Sequence, residues 1–260
     1  VKTWKPSERT NSKIVLAVAK ETFRGLPFSE LAKSDLTTSA DTGLHEKTLK
    51  LQLGQCDAFI SHSWHDDPEM KWHALTDWVD AFQQIHFRQP LIWLDKACIK
   101  QDASISTSLA VLPVHLAGCK RLVVFVGPTF VHRMWCLLEV YTFLSLGAHS
   151  ERLMVIPLED HSNLITPMTT RRMAIRWIRE LDVNRALCKP ADKKRLLEEV
   201  KDGAGSLLAF NKQTRDCLLR SIVAVANLRR HERAFRDIYL HKMGGSKDGV
   251  KSMLNKLDSS

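Results

Sequence analysis

The sequence predicts an α/β protein: a parallel sheet of four or five strands with helices on both faces, joined by a C-terminal helical layer. Three observations predict it. Between residues 55 and 160, short apolar strand-like runs alternate with helical stripes four times. Two of those runs, Cys56–Ser61 and Leu122–Val126, read as strands buried on both faces, as in a parallel sheet covered on each side. Further on, residues 168–242 carry amphipathic helical stripes that need a partner surface.

Taken along the chain, residues 13–32 hold a short helix broken near Gly25 and Pro27. Residues 34–48 are polar and turn-rich, a linker or exposed loop. Cys56–Ser61 is the first strand, and Pro68–Phe87 is a helix with apolar residues at 72, 75, 79 and 82. Residues 90–95 form a second strand and Ile105–Gly118 a second helix. Residues 121–127 form the third strand, Trp135–Leu146 the third helix, and residues 153–158 the fourth strand. Helices then cover Met168–Leu181, Lys193–Val200 and Gln213–Lys242, with a frayed end after Gly244-Gly245. The organisation is an N-terminal helical and loop segment (1–54), an α/β core (55–160), and a helical appendage with a basic tail (161–260).

Composition excludes several classes. At 44% hydrophobic and 26% charged, with 11 Gly and 9 Pro, the chain is neither collagen-like nor wholly disordered. No apolar run approaches the ~20 residues of a membrane span, and the polar first 12 residues do not read as a secretory leader. The net charge of +9 is lopsided: residues 151–260 hold 22 basic and 14 acidic side chains, against 16 and 15 before them. A basic half admits nucleic acid or a membrane surface as partners of the C-terminal helices, although a solvated helical face accounts for it as simply. The six cysteines form no CxxC pair and sit mostly in apolar segments, which suits reduced thiols in a cytoplasmic protein.

In an open parallel sheet, ligands bind beyond the carboxyl ends of the strands. Three such ends carry polar residues here: Ser61-His62-Ser63-Trp64, Asp95-Lys96 and Gly127-Pro128-Thr129. On the helix that follows, Trp135 and Glu139 lie four apart, so indole and carboxylate share one face. A flat aromatic wall beside a carboxylate suits chemistry at a sugar anomeric carbon, where an oxocarbenium-like cation develops.

These residues carry a resemblance. DAFISHSWHDD (57–67) resembles the first box of TIR (Toll/interleukin-1 receptor) domains, and IWLDKACIKQDASI (92–105) resembles their second strand and its loop. CKRLVVFVGPTFVHRMWCLLEV (119–140) resembles the third strand and the family's Trp-Cys-x-x-Glu helix. The likeness spans roughly residues 55–160 and is nearest in wording to TIR-like modules of single-celled eukaryotes.

The resemblance implies a flavodoxin-like fold and a role in signalling or immunity. It implies NAD glycohydrolase activity: cleavage of the nicotinamide–ribose bond to nicotinamide and ADP-ribose or a cyclic isomer. NAD enters as substrate and no cofactor is needed. The family's catalytic position falls on Glu139, and the substrate-binding positions fall on Phe59, Ser61, His62, Ser63, Trp64, Asp95, Lys96 and Trp135. The family's other mode is a non-enzymatic adaptor acting by homotypic self-association. The resemblance also implies a homo-oligomer built through the core, in which the loop Lys96–Ala103 of one subunit completes the cleft of another. The chain departs from the family pattern twice. Ser63-Trp64 stands where some NAD-cleaving members have arginine, so phosphate recognition must come from elsewhere. Lys100-Gln101-Asp102 replaces the usual Pro-Gly or Leu-Gly pair.

Rival readings of the same residues are blander. His62, His65, Asp66, Asp67 and His73 cluster in sequence, but 65–68 reads as a loop entering a helix N-cap rather than a metal site. Cys136, four from His132, reads as packed core rather than a nucleophile. Trp72, Trp78 and Trp93 read as core, while Trp64 and Trp135 either stack on a base or wall the pocket. Residues 171–179 and 229–236 read as half-buried basic helices. Glu139, in the first turns of its helix, is expected to be ionised at neutral pH.

Overall fold

The computed structural model describes residues 12–100, 105–147, 150–159 and 167–222. Helix α1 (Ser12–Thr22) leads into two short strands, β1 (Arg24–Pro27) and β2 (Leu49–Lys50). The core follows in alternation: β3 (Cys56–Ser61), α2 (Pro68–His86), β4 (Leu91–Trp93), α3 (Asp95–Cys98), α4 (Ile105–Gly118), β5 (Cys119–Val126), α5 (Met134–Ser145) and β6 (Leu153–Pro157). Helices α6 (Pro167–Arg179), α7 (Pro190–Ala204) and α8 (207–222) complete the described chain. The part of the expected last helix beyond residue 222 lies outside the described residues, as do the frayed end and residues 229–236. None of the described helices is long and apolar enough to cross a membrane.

The strands form one six-stranded sheet in the order β2-β1-β4-β3-β5-β6, with helices around it. β4, β3, β5 and β6 run parallel, and β1 joins the β4 edge antiparallel. All six residues of β3 are buried, and Leu122–Val126 of β5 are at most 1% exposed, so both faces of the sheet centre are covered. The chain steps from β3 to β4 on one side and then crosses to β5 on the other. That places a topological switch point at the carboxyl ends of β3 and β5, where an open α/β sheet offers its crevice.

The parallel part has four strands, as expected, and an antiparallel pair at the β4 edge brings the sheet to six. β1 lies at the expected break near Gly25 and Pro27 that follows α1, and β2 lies just after the polar stretch 34–48. Strands of four and two residues are too short to show an alternating pattern, and those breakers lie within β1 itself. Pro27, with no N–H to offer, ends β1 opposite Leu91. β4 is also shorter than expected, because Asp95 opens α3 instead of closing the strand.

The C-terminal layer packs as its stripes require. Ala174 and Ile178 of α6 and Phe210 and Leu218 of α8 are fully buried, and Phe210 lies 4.7 Å from Tyr141 of α5, ring to ring. The Ser221 hydroxyl donates to the Leu153 carbonyl at 2.7 Å, tying α8 to β6.

At the amino ends of the strands, Asp57 is 3% exposed. It accepts two hydrogen bonds from Arg88 at 2.7 Å each, one from Lys120 at 2.9 Å and one from the Leu91 amide at 2.9 Å. Burial alone pushes its carboxyl up, but these donors and charges together hold it below the usual aspartate value. Its contribution is therefore present above pH ~4, the unfolded value, and is lost as pH falls through the lower folded value. Asp57→Asn is expected to cost about 1–3 kcal/mol at pH 7, with the difference shrinking as pH drops below ~4. Urea unfolding of both proteins at pH 7 and pH 3 measures this.

Candidate active site

The carboxyl ends of β3 and β5 and the start of α5 bring the sequence-predicted polar residues together. Helix α5 is positioned from outside the sheet: the Leu187 amide donates to the His132 carbonyl at 2.6 Å, and the Met134 amide donates to the Leu187 carbonyl at 3.0 Å. This bridge fixes the first turn and with it the rotation of the helix. Glu139, the sixth residue of α5, is thereby turned toward the end of β3. There the Ser61 hydroxyl donates to Glu139 Oε2 at 2.5 Å.

Glu139 is not an ordinary surface glutamate. Burial of its carboxyl is the main cause that pushes it up to about 8, the Asp95 charge adds to that, and the Ser61 hydrogen bond opposes both. The expectation of an ionised Glu139 at neutral pH is thus corrected. The helix dipole fades within the first turn, and at the sixth position desolvation outweighs it.

Asp95 stands on the other side of Ser61. β4 flanks β3 on the side away from β5, and Asp95 opens α3 just past its end. Asp95 accepts from the Trp64 indole N–H at 3.1 Å and from the Lys96 amide at 2.6 Å. Trp64 is held on several sides: the Lys71 and Lys96 ammoniums lie 5.3 and 5.7 Å from its ring centroids, and His62 meets it edge-on at 4.4 Å. Its polar end and its ring are committed to protein partners, which suits walling the site better than stacking on a base.

The remaining predicted residues divide between frame and interior. Asp66 Oδ1 accepts from the Thr129 hydroxyl at 2.7 Å and from the Thr129 amide at 2.9 Å, and the hydroxyl of Ser63, 1% exposed, completes the chain 2.7 Å from Thr129 Oγ1. The loops after β3 and β5 are thus tied to each other. Gly127 permits it, since a Cβ there would come within 2.5 Å of the Asp66 carboxyl. Phe59 is sealed in the core, stacked on Trp93 at 4.3 Å, and does not line a cleft. The Lys96 ammonium is spent on the Asp35 and Thr38 carbonyls, at 2.9 Å each, under the N-terminal segment. His45 Nδ1 adds a contact to the Ala97 carbonyl at 2.9 Å, so the first residues of the loop at 96–103 are covered. Residues 101–103 of that loop lie outside the described residues. Trp135 is half-buried one turn before Glu139 and packs against the core.

The rival readings separate cleanly here. Asp67 caps α2, accepting from the Met70 amide at 2.9 Å, with Pro68 in the first turn. Among the described residues, no three His, Cys, Asp or Glu converge as metal ligands. The Cys136 thiol donates to the His62 carbonyl at 3.3 Å, and burial pushes it well above its usual value, so it packs rather than attacks. His62 is 8% exposed, and burial, with Lys71 nearby, pulls it down to about 3, leaving a neutral ring.

Lys71 belongs to the cluster and was not anticipated, while Asp66 and Thr129, expected as loop and strand-end residues, join it as well. Lys71 is 1% exposed, with its ammonium 3.4 Å from the Ser63 and Trp64 carbonyls and facing Asp66, Asp67 and Asp95. The signal was present: Lys71 lies four before Leu75, on the buried stripe of Ala74, Leu75, Trp78, Val79 and Phe82. A lysine on an apolar stripe needs carboxylates and carbonyls around it.

No family model matches this chain, and neither a curated protein nor a solved structure matches it.

The raised Glu139 carboxyl makes a stability prediction. Its folded value lies above the unfolded one, so the neutral form is favoured in the native state. The benefit is full below pH ~4.5 and is lost as pH rises through about 8. Glu139→Gln keeps the neutral shape at every pH. Its thermal midpoint is expected to match wild type near pH 4 and exceed it by at least roughly 2–4 °C at pH 8.5, the shift that one kcal/mol produces in a domain of this size. Differential scanning calorimetry at the two pH values reads the difference.

Proposed function

We propose that the chain is a TIR-like NAD-cleaving hydrolase that breaks the nicotinamide–ribose bond, with Glu139 as the catalytic carboxylate. The observation that carries the reading is the 2.5 Å hydrogen bond between Ser61 and Glu139, at the carboxyl edge of the two central parallel strands. The half-buried Trp135 one turn before it, the Trp64 indole beside the site and the second carboxyl group, that of Asp95, add support.

Nicotinamide is already a cationic leaving group in NAD, so departure needs little acid assistance. The reaction needs the ribose held still and a negative charge beside the oxocarbenium ion as it forms. An ionised Glu139 supplies that charge and accepts from ribose hydroxyls. In the unliganded site its carboxyl is largely neutral at pH 7, and a bound pyridinium cation favours loss of its proton. Ser61 holds the carboxyl in one orientation through the change. Water at the anomeric carbon yields ADP-ribose, and an adenine nitrogen in its place yields a cyclic isomer.

The test is nicotinamide release by the full chain, with thermal midpoints measured alongside. Glu139→Ala and Glu139→Gln are both expected to fold and to lose at least ~10²-fold in kcat, the second for want of charge alone. In wild type, kcat/KM is expected to climb about tenfold per pH unit below the free-enzyme value near 8 and to level off above it. Wild-type turnover in a folded Glu139→Ala protein sinks the mechanism. An inactive wild-type chain that self-associates in light scattering turns the reading to an adaptor.

A further inference from the structure

The four central strands run parallel, so the strand ends opposite the candidate site form a second edge of the sheet. Four cations gather there. Arg88 precedes β4, Lys120 and Arg121 stand near the start of β5, and Arg152 precedes β6. Arg88 and Lys120 meet at Asp57, and the Arg152 guanidinium donates to the Lys120 carbonyl at 2.8 Å, which links the four into one patch. Two carboxylates oppose them: the enclosed Asp57 and the exposed Glu151. Four against two leaves an excess of two positive charges. The side chains of Arg88 and Lys120 keep 46% and 51% of their surface in water while holding Asp57, and Arg121 is exposed.

The same edge carries two apolar side chains that the fold leaves in water. Ile85 and Phe87, at the end of α2, are 65% and 61% exposed, and Arg88 follows directly. Phe87 has a φ of +53°, and among the described residues no other non-glycine has a positive φ. It closes α2 with its amide donating to the Gln83 carbonyl at 2.9 Å, in the left-handed conformation that glycine or asparagine adopts with least strain. A mostly exposed phenyl ring at this position adds little to the core and strains the backbone. Neither packing nor turn geometry calls for it.

We propose that this edge docks on an anionic membrane surface, with Ile85 and Phe87 entering the headgroup layer and the cations around them facing lipid phosphates and carboxylates. The excess of positive charge sets the sign of the partner. A nucleic-acid backbone would match the cations but leave Ile85 and Phe87 unused. Both apolar side chains stand out at a helix end, which a soft interface receives without a preformed pocket. Two such side chains and a small charge excess give weak attraction singly, so docking is reversible and needs both. The consequence is an orientation. β5 is eight residues long, so the two edges lie ~25 Å apart. Ser61 and Glu139, at the far edge, then face away from the lipid and stay open to a substrate in solution.

The experiment is sedimentation of the full chain with vesicles of phosphatidylcholine, alone or with about a third phosphatidylserine, at physiological salt. Binding is expected to be at least ~10-fold tighter to the anionic vesicles and to weaken as salt rises. Phe87→Asn relieves the left-handed strain. Its thermal midpoint is expected to equal or exceed wild type, while binding to anionic vesicles falls at least ~5-fold. Arg121→Glu, which leaves both partners of Asp57 in place, is expected to lower binding by at least a similar factor. Ile85→Ser stands in should the asparagine variant not fold. Equal binding to the two kinds of vesicle, or none to either, overturns the proposal. Binding that survives both Phe87→Asn and Arg121→Glu overturns it as well, and assigns the attraction to the basic C-terminal residues. Phe87-dependent self-association in light scattering, without vesicle binding, overturns it in favour of a second copy of the chain. Nicotinamide release enters none of these readouts, so the hydrolase reading and the docking edge stand or fall separately.

Discussion

Burial of β3 on both faces, between two parallel neighbours, is the constraint from which the rest follows. A strand enclosed in this way can place polar groups only at its two ends. At its amino end Asp57 is neutralised at once by Arg88, Lys120 and a backbone amide. At its carboxyl end Ser61, His62 and Ser63 emerge from the sheet while still buried, and the two serine hydroxyls and the His62 carbonyl are met by partners within the protein. The search for partners draws in Glu139 from α5, Thr129 from the loop after β5 and the Cys136 thiol. The polar cluster is thus a consequence of the sheet.

Two amines and three carboxyls share this small, poorly solvated region, and burial acts against the charged form of every one of them. Lys71 and Lys96 are almost wholly enclosed, and each is held by backbone carbonyls. Isolated cations so placed would be driven toward neutrality. Asp66 and Asp95 answer them, and Trp64 lies between as an aromatic surface with its N–H toward Asp95. Glu139 differs in meeting no cation among the described residues, and its high proton affinity follows first from burial, with the Asp95 charge adding to it.

How much of this the sequence revealed depends on the length and chemistry of each signal. The strands at Cys56–Ser61 and Leu122–Val126 and the helices Pro68–His86 and Ile105–Gly118 were legible because their apolar runs exceed a turn or a pleat repeat. β1 and β2 were not, since four and two residues carry no period. Within the site, Ser61, Trp64, Asp95 and Glu139 were legible as polar residues at strand ends or at helical spacing from a tryptophan. The fate of Phe59 and Lys96 was not. A position adjacent to a cleft in sequence alternates between core and edge along a strand. A lysine's partners, here carbonyls some 60 positions away, leave no local trace. The charge state of Glu139 was misread because helix position is visible in sequence and desolvation is not.

Both flanking segments act on the site through backbone groups. The N-terminal segment offers the Asp35 and Thr38 carbonyls to Lys96, and that lysine's own amide fixes Asp95. The C-terminal layer offers Leu187, whose amide and carbonyl bracket the turn from which α5 starts. Contacts of this kind specify geometry without specifying side chains, so the flanks can diverge in sequence and still hold the same carboxyls in place. They also make the site sensitive to distant changes. Glu139 reaches Ser61 only if α5 begins at the right rotation, and one residue of helix displacement turns the carboxyl by ~100°. A hydrogen bond of 2.5 Å does not survive such a turn. The chemistry attributed to the strand ends therefore depends on chain that lies outside the parallel strands altogether.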